Sequence, residues 1–241
     1  MKKYISVICL ILVAVAVFLL RDRSYLVNTN NTHESVIPTY TVVIDAGHGG
    51  FDPGKVGVHG ELEKEINLSI AFKLKSLLEQ NDCNVIMVRT DDNGLYSAGD
   101  ANKKSADMRK RIEIIREAKP DIAVSIHQNS FTQESSKGAQ VFYHAMSDQG
   151  KRLAEIIQEQ MKKTLNDGNH RVAKSNTSYY MLKKSECPLV IVECGFLSNE
   201  KESRMLTDES YQERVAWAIH LGVMNYLNQK DTTTTQNEIV Q

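Results

Sequence analysis

The chain reads as a single α/β domain: a mainly parallel, twisted sheet with helices on both faces, preceded by an N-terminal hydrophobic helix. Three observations predict this. Short apolar runs of strand length alternate with longer apolar stripes at helical spacing, the pattern of strand–helix–strand units. The alternating region, residues 40–228, shows no internal repeat. The apolar share of 41% and the charged share of 24% are those of an ordinary globular protein.

Taken in order, Thr41–Asp45 is the first strand, ending in an aspartate that is followed by His48 among glycines. Glu63–Gln80 follows as a helix, because Ile66, Ile70, Leu74 and Leu77 or Leu78 recur on one face. Val85–Val88 is the second strand. Ser105–Ala118 is a helix through Met108, Ile112 and Ile115, and Ile122–Ile126 is the third strand. Ala139–Tyr143 is a fourth strand, followed by the helix Asp148–Leu165 with Leu153, Ile156, Ile157 and Met161 facing inward. Leu189–Val192 is the last strand, and Asp208–Leu227 closes the domain with Tyr211, Val215, Ile219 and Val223. These stripes are core, and strands so uniformly apolar belong to a sheet covered on both faces.

Residues 1–23 hold two lysines and then an unbroken apolar run from Tyr4 to Leu20. The run is at the short end of what spans a bilayer and longer than most signal-peptide cores. Its one small-x-small pair, Ala14 and Ala16, lies inside the run, so a retained membrane anchor is favoured over a cleaved signal. An extracytoplasmic domain is then expected. Residues 24–39 read as a polar linker, and residues 229–241, rich in threonine, as a disordered tail.

A formal net charge of −1 gives no broad attraction to nucleic acid. The four cysteines include no CxxC pair, which excludes a disulfide framework and a structural zinc knuckle. Chemistry instead gathers at one sheet edge. Ligands of open α/β sheets bind beyond the carboxyl ends of the strands, and there His48 follows the first strand, His127 closes the third and Glu193 closes the last. Glu63 opens the first helix. His59 and His144 are reserves near the same edge. Two histidines and a carboxylate would leave one position of a zinc tetrahedron open, as a catalytic site requires. A further, unligated carboxylate could move a proton, and Glu193 is placed for it.

The segments DAGHGGFDPGKVG, LEKEINLSIA, SIHQNS and VECGFLSN, in this order, resemble the motif set of the zinc-dependent N-acetylmuramoyl-L-alanine amidases. Those enzymes cut the amide between the muramic acid lactyl group and the first alanine of the peptidoglycan stem. The resemblance implies Zn²⁺ as cofactor, His48, Glu63 and His127 as its ligands, and Glu193 as the catalytic glutamate. Spacing alone does not exclude Glu61 or Glu65; the family pattern, with Lys64 next and Asn67-Leu68 following, selects Glu63. Cys194 departs from the pattern, standing where relatives often have a β-branched or small residue.

Within the family, the hydrophobic segment, short linker and bare catalytic domain resemble the germination-specific amidase of endospore formers. That likeness implies action on spore cortex, on the way to muramic δ-lactam and germination. The expected partners are the peptidoglycan glycan strand and stem peptide, the membrane through the N-terminal segment, and an accessory protein; no nucleic acid is expected. Ser130–Gly138 and Ser175–Tyr180, the latter with Tyr179 or Tyr180 able to pack on sugar, are candidate substrate contacts. The competing readings are a zinc peptidase acting on peptidoglycan crosslinks and a wall-binding module without catalysis.

Overall fold

The computed structural model describes residues 40–239. The expected anchor and linker lie outside them, and among the described residues no helix is long and apolar enough to cross a membrane. Strand β1 (Tyr40–Ala46) leads to α1 (Glu63–Glu79), β2 (Cys83–Met87), α2 (Lys103–Ala118) and β3 (Ile122–Asn129). Then come β4 (Gln140–His144), α3 (Asp148–Leu165), β5 (Lys174–Asn176), α4 (Tyr180–Lys184), β6 (Leu189–Phe196), α5 (Glu200–Thr207) and α6 (Glu209–Ile239). Every strand and helix read within residues 40–228 is present, while the expected N-terminal hydrophobic helix lies outside the described residues. The short elements β5, α4 and α5 are additional, being too brief to show a period.

The six strands lie in the order β2-β1-β3-β6-β4-β5. All neighbours run parallel except β6 and β4, so the sheet is mixed. The cause lies in the connections. The segment between β3 and β4 carries no crossover helix, and a parallel return needs one; β4 therefore runs back against the direction of β3. The chain leaves β1 toward β2 on one side and toward β3 on the other. That reversal of strand order is where α/β sheets open a crevice for ligands.

Alternation along each strand divides the interior into two layers. Val42, Ile44, Val124, Ile126, Val190 and Val192 face α1, α3 and α6, and all are fully buried. Val43, Ala123, Ile191 and Phe142 face the opposite way, against Ile115 of α2 and Met181 and Leu182 of α4. Each such large aliphatic contributes about 1.5–3 kcal/mol through its removal from water. Asp45 belongs to this second face and is also buried. It accepts hydrogen bonds from Ser125 and from Arg111, each at 2.6 Å. Arg111 lies on the Met108–Ile115 stripe of α2, with 2% of its side chain exposed. Burial on its own would raise the Asp45 pKa, but the Arg111 guanidinium, the Ser125 hydroxyl and His127 together hold it below the ordinary value.

Helix α6 continues past Leu227, where the apolar pattern ends, as far as Ile239. Residues 229–239, read as a disordered tail, are thus helical here; neither glycine nor proline interrupts them. Against α3, the same helix uses Gly222 as a point of close approach: a Cβ there would lie 2.7 Å from the Ile157 Cα.

Two outcomes follow from this packing. Gly222→Ala, which by helix propensity should stabilise by about 1 kcal/mol, will instead destabilise by about 1–3 kcal/mol through overpacking against Ile157. Urea unfolding decides the sign. Asp45→Asn leaves buried Arg111 with Asp107 as its remaining anion and should cost up to about 3–5 kcal/mol at pH 7, the range for breaking a buried pair. Because the folded Asp45 pKa is depressed, its contribution is present above the reference value of 3.8 and is lost as pH falls through the lower folded value. The gap between wild type and variant should therefore narrow in acid, which unfolding curves at pH 7 and near pH 3 will show.

Candidate active site

The turn after β1 explains the glycines around His48. His48 itself adopts a left-handed backbone, with φ of 64°, a conformation that non-glycine residues hold only when their surroundings impose it. Gly47 has no room for a side chain, since a Cβ would lie 2.2 Å from the His127 ring. At Gly54, with φ of 71°, a Cβ would lie 2.5 Å from the Glu63 carboxylate and 2.7 Å from the His48 ring. These glycines let backbone close directly around the functional side chains.

Glu63 is the first residue of α1, and His127 and Glu193 are opposite one another in the β3–β6 register. That pairing shifts immediately after His127, an irregularity of the kind that re-aims side chains beside active sites. The Oε1 of Glu63 stands 3.1 Å from Nε2 of His48 and 3.0 Å from Nδ1 of His127. The two imidazole rings meet edge to face with centroids 5.0 Å apart. One ligand-type atom from each of the three residues lies within 4.8 Å of the others.

A second layer fixes this group. Asp52 holds Nδ1 of His48 at 3.0 Å, a contact that fixes the orientation of the imidazole and leaves Nε2 facing Glu63. Backbone N–H groups of Lys55 and Gln128 donate to the Glu63 carboxylate at 2.7 and 3.0 Å. Asn67, fully buried one turn along α1, donates to Gly47 O at 3.1 Å and to Glu63 at 3.4 Å. Burial would raise the Glu63 pKa, but hydrogen bonds and charge from His127 and His48 drive it far below the usual carboxylate range. Burial likewise opposes charge on His127, and Glu63 outweighs it, raising that pKa.

Glu193 behaves in the opposite way. Burial pushes its pKa up to about 7, the Glu63 charge adds to the rise, and His127, His48 and Lys55 offset only part of it. Its Oε2 is buried and has no hydrogen-bond partner among the described residues. The site thus pairs a carboxylate kept ionised with another able to hold a proton near neutrality. Two imidazoles and a carboxylate form a donor set that suits zinc.

These groups form the floor of a cleft of about 440 Å³. Lys104, Asp107, Met108 and Arg111 of α2 line one wall, and Tyr179, Tyr180 and Met181 line another. Of the two segments expected to meet substrate, Ser175–Tyr180 brings both tyrosines to the cleft. From Ser130–Gly138 only Ser130 does; Gln133 and Ser135–Gly138 line a separate pocket beside Arg171 and Glu202. His59 is exposed and His144 closes β4, and neither lines the cleft. Glu65 is exposed, while Glu61 accepts from the His59 N–H at 2.9 Å. Of the three neighbouring glutamates, Glu63 is the one that lines the cleft with His48 and His127. Cys194 is fully buried on the other face of β6, and burial raises its thiol pKa beyond nucleophilic use.

Sequence reasoning missed Asp52 and Arg111. Asp52 lies inside the quoted DAGHGGFDPG stretch, four residues after His48. Arg111 interrupts an apolar stripe at a position of its own period, a signal that a buried charge needs a partner.

The family described as N-acetylmuramoyl-L-alanine amidase matches residues 42–225. A curated relative, the germination-specific N-acetylmuramoyl-L-alanine amidase of Bacillus subtilis, is 33% identical over 193 residues, covering 78% of this chain and 80% of the relative. The structure of the CwlD amidase from Clostridioides difficile, in complex with the GerS lipoprotein, aligns with a TM-score of 0.76 at 42% identity, covering 78% of this chain and 98% of that one. The N-acetylmuramoyl-L-alanine amidase from Clostridium difficile 630 aligns with a TM-score of 0.71 at 31% identity, covering 80% and 99%. With the matched region spanning the whole sheet and its site, the chain belongs to the N-acetylmuramoyl-L-alanine amidase family.

Proposed function

We propose that this amidase works with a zinc ion held by His48, Glu63 and His127, that Glu193 is its proton-transferring residue, and that its substrate is spore-cortex peptidoglycan. The observation that carries the reading is the convergence of three ligand-type atoms within 4.8 Å beside a buried, unpartnered glutamate oxygen. Cleavage there would prepare muramic acid for conversion to the δ-lactam. Likeness to a germination-specific relative supports the cortex assignment. A structural relative bound to a lipoprotein supports an accessory partner. The apolar N-terminal run is proposed to anchor the domain to the membrane on the extracytoplasmic side.

Bound at this site, zinc supplies a Lewis acid that polarises the amide carbonyl and lowers the pKa of a water toward 7. The chain supplies the rest. Glu63 brings one negative charge to the two neutral imidazoles, and Asp52 keeps the His48 ring in place. With its raised pKa, Glu193 can take a proton on Oε2 from the attacking water and pass it to the departing alanine nitrogen. The tyrosine wall offers aromatic faces for a sugar ring, and the glycine turn lets a bulky glycan approach. No serine or cysteine nucleophile is needed.

Glu193→Gln should keep zinc binding and lose about 10²–10⁴-fold in turnover, whereas His127→Ala should lose both. Zinc titration beside a turnover assay separates the two, and a Gln variant with near-normal turnover would remove Glu193 from its role. Mass spectrometry of digests of purified peptidoglycan and spore cortex tests the substrate. Free stem peptides beginning at L-alanine, absent with Glu193→Gln, are expected; cleavage within the stem peptides instead would favour the peptidase.

A further inference from the structure

We infer that Arg111 is a positioning residue for the metal centre: its guanidinium, anchored on two aspartates, grips the carbonyls of Ala46 and His48 and so fixes the left-handed turn that presents the His48 ring to Glu63 and His127. The inference rests on His48 serving as a metal ligand. Nε of Arg111 donates to Asp107 at 2.6 Å, and one terminal nitrogen donates both to Asp45 at 2.6 Å and to Ala46 O at 2.8 Å. The other terminal nitrogen donates to His48 O. With 2% of the side chain exposed, Arg111 forms part of the cleft wall without offering surface to a substrate.

Neutralising Asp45 does not by itself account for this arrangement. A single ammonium would meet that need, and the bonds to Ala46 and His48 are bonds to neutral carbonyls. What they share is the turn. Arg89 completes the grip from the far side, donating to Ala46 O at 2.7 Å, Gly47 O at 3.0 Å and Lys64 O at 2.7 Å. Three consecutive carbonyls of the His48 turn are thus held by guanidinium groups, and Lys64, beside Glu63, is tied to the same clamp. Of the two arginines, Arg111 reaches His48 itself. A planar five-donor fork can satisfy these acceptors together; a lysine is a point charge that cannot.

The test compares Arg111→Lys, Asp107→Asn, His48→Ala and Val223→Ala in the full chain. Zinc affinity is read by competition with a chromophoric chelator, and coordination by the visible spectrum of the cobalt-substituted protein. Arg111→Lys keeps the positive charge yet should weaken zinc binding about 10–100-fold, the range for lost outer contacts of metal ligands. Its cobalt spectrum should change, and kcat should fall more than KM rises. Asp107→Asn, which loosens Nε while leaving the arginine in place, should fall between it and wild type, and carries the test if Arg111→Lys does not fold. Val223→Ala removes buried methyls on α6, away from the cleft; it should lower Tm with zinc affinity unchanged, the behaviour of a merely structural residue. Wild-type zinc affinity and cobalt spectrum in the folded Arg111 and Asp107 variants would overturn the inference. Undiminished zinc binding by His48→Ala would instead overturn the ligand assignment on which it stands.

Discussion

The site is organised by the requirement that one buried carboxylate remain charged. The Glu63 side chain is 2% exposed, and an ion so placed is strongly unfavourable unless donors surround it. Here they come from four separate parts of the chain: the His48 turn, the Lys55 N–H, Asn67 of the same helix, and His127 with the Gln128 N–H. Satisfying this charge draws the end of β1, the loop before α1 and the end of β3 onto a single point. The same convergence assembles a donor set of the right kind for a metal.

The sheet supplies the frame for that convergence. Parallel pairing of β1, β3 and β6 places their carboxyl ends at one edge, and the register sets His127 directly beside Glu193. The two glutamates then diverge electrostatically because their surroundings differ. Glu63 has five hydrogen-bonding neighbours and stays ionised, whereas Glu193 has an oxygen with no partner and is pushed up to about 7. Environments that separate the pKa values of neighbouring acids divide their chemical roles.

Much of this was legible in the sequence. Long stripes such as Ile66–Ile70–Leu74 declared α1, since the helical period repeats often enough over that length to exclude a strand. His48, His127 and Glu193 could be placed at one edge because each ends a run too apolar to be anything but a buried strand. Motif resemblance, and not spacing, chose Glu63 over Glu61 and Glu65. What stayed hidden depends on long-range contact. The antiparallel turn of β4 follows from a connection whose path no local pattern encodes. Asn67 is part of a recognisable pattern and Arg111 interrupts an apolar stripe, but neither signal names the groups they hold until the fold brings Gly47, Asp45 and His48 to them. The three-residue β5 and five-residue α4 are held by tertiary packing, below the length at which periodicity can speak.

The order in which the residues occur along the chain has a temporal meaning. The members of the cleft floor lie at positions 48, 63, 127 and 193, and the last sits on the strand inserted between β3 and β4. A polypeptide emerging from its N-terminus therefore holds two of them early, a third only after β3, and the fourth near the end of the sheet. In the finished sheet β6 is the neighbour of both β3 and β4. No chain that stops short of β6 can carry the complete set, so the four groups meet only when the last strand of the sheet is in place.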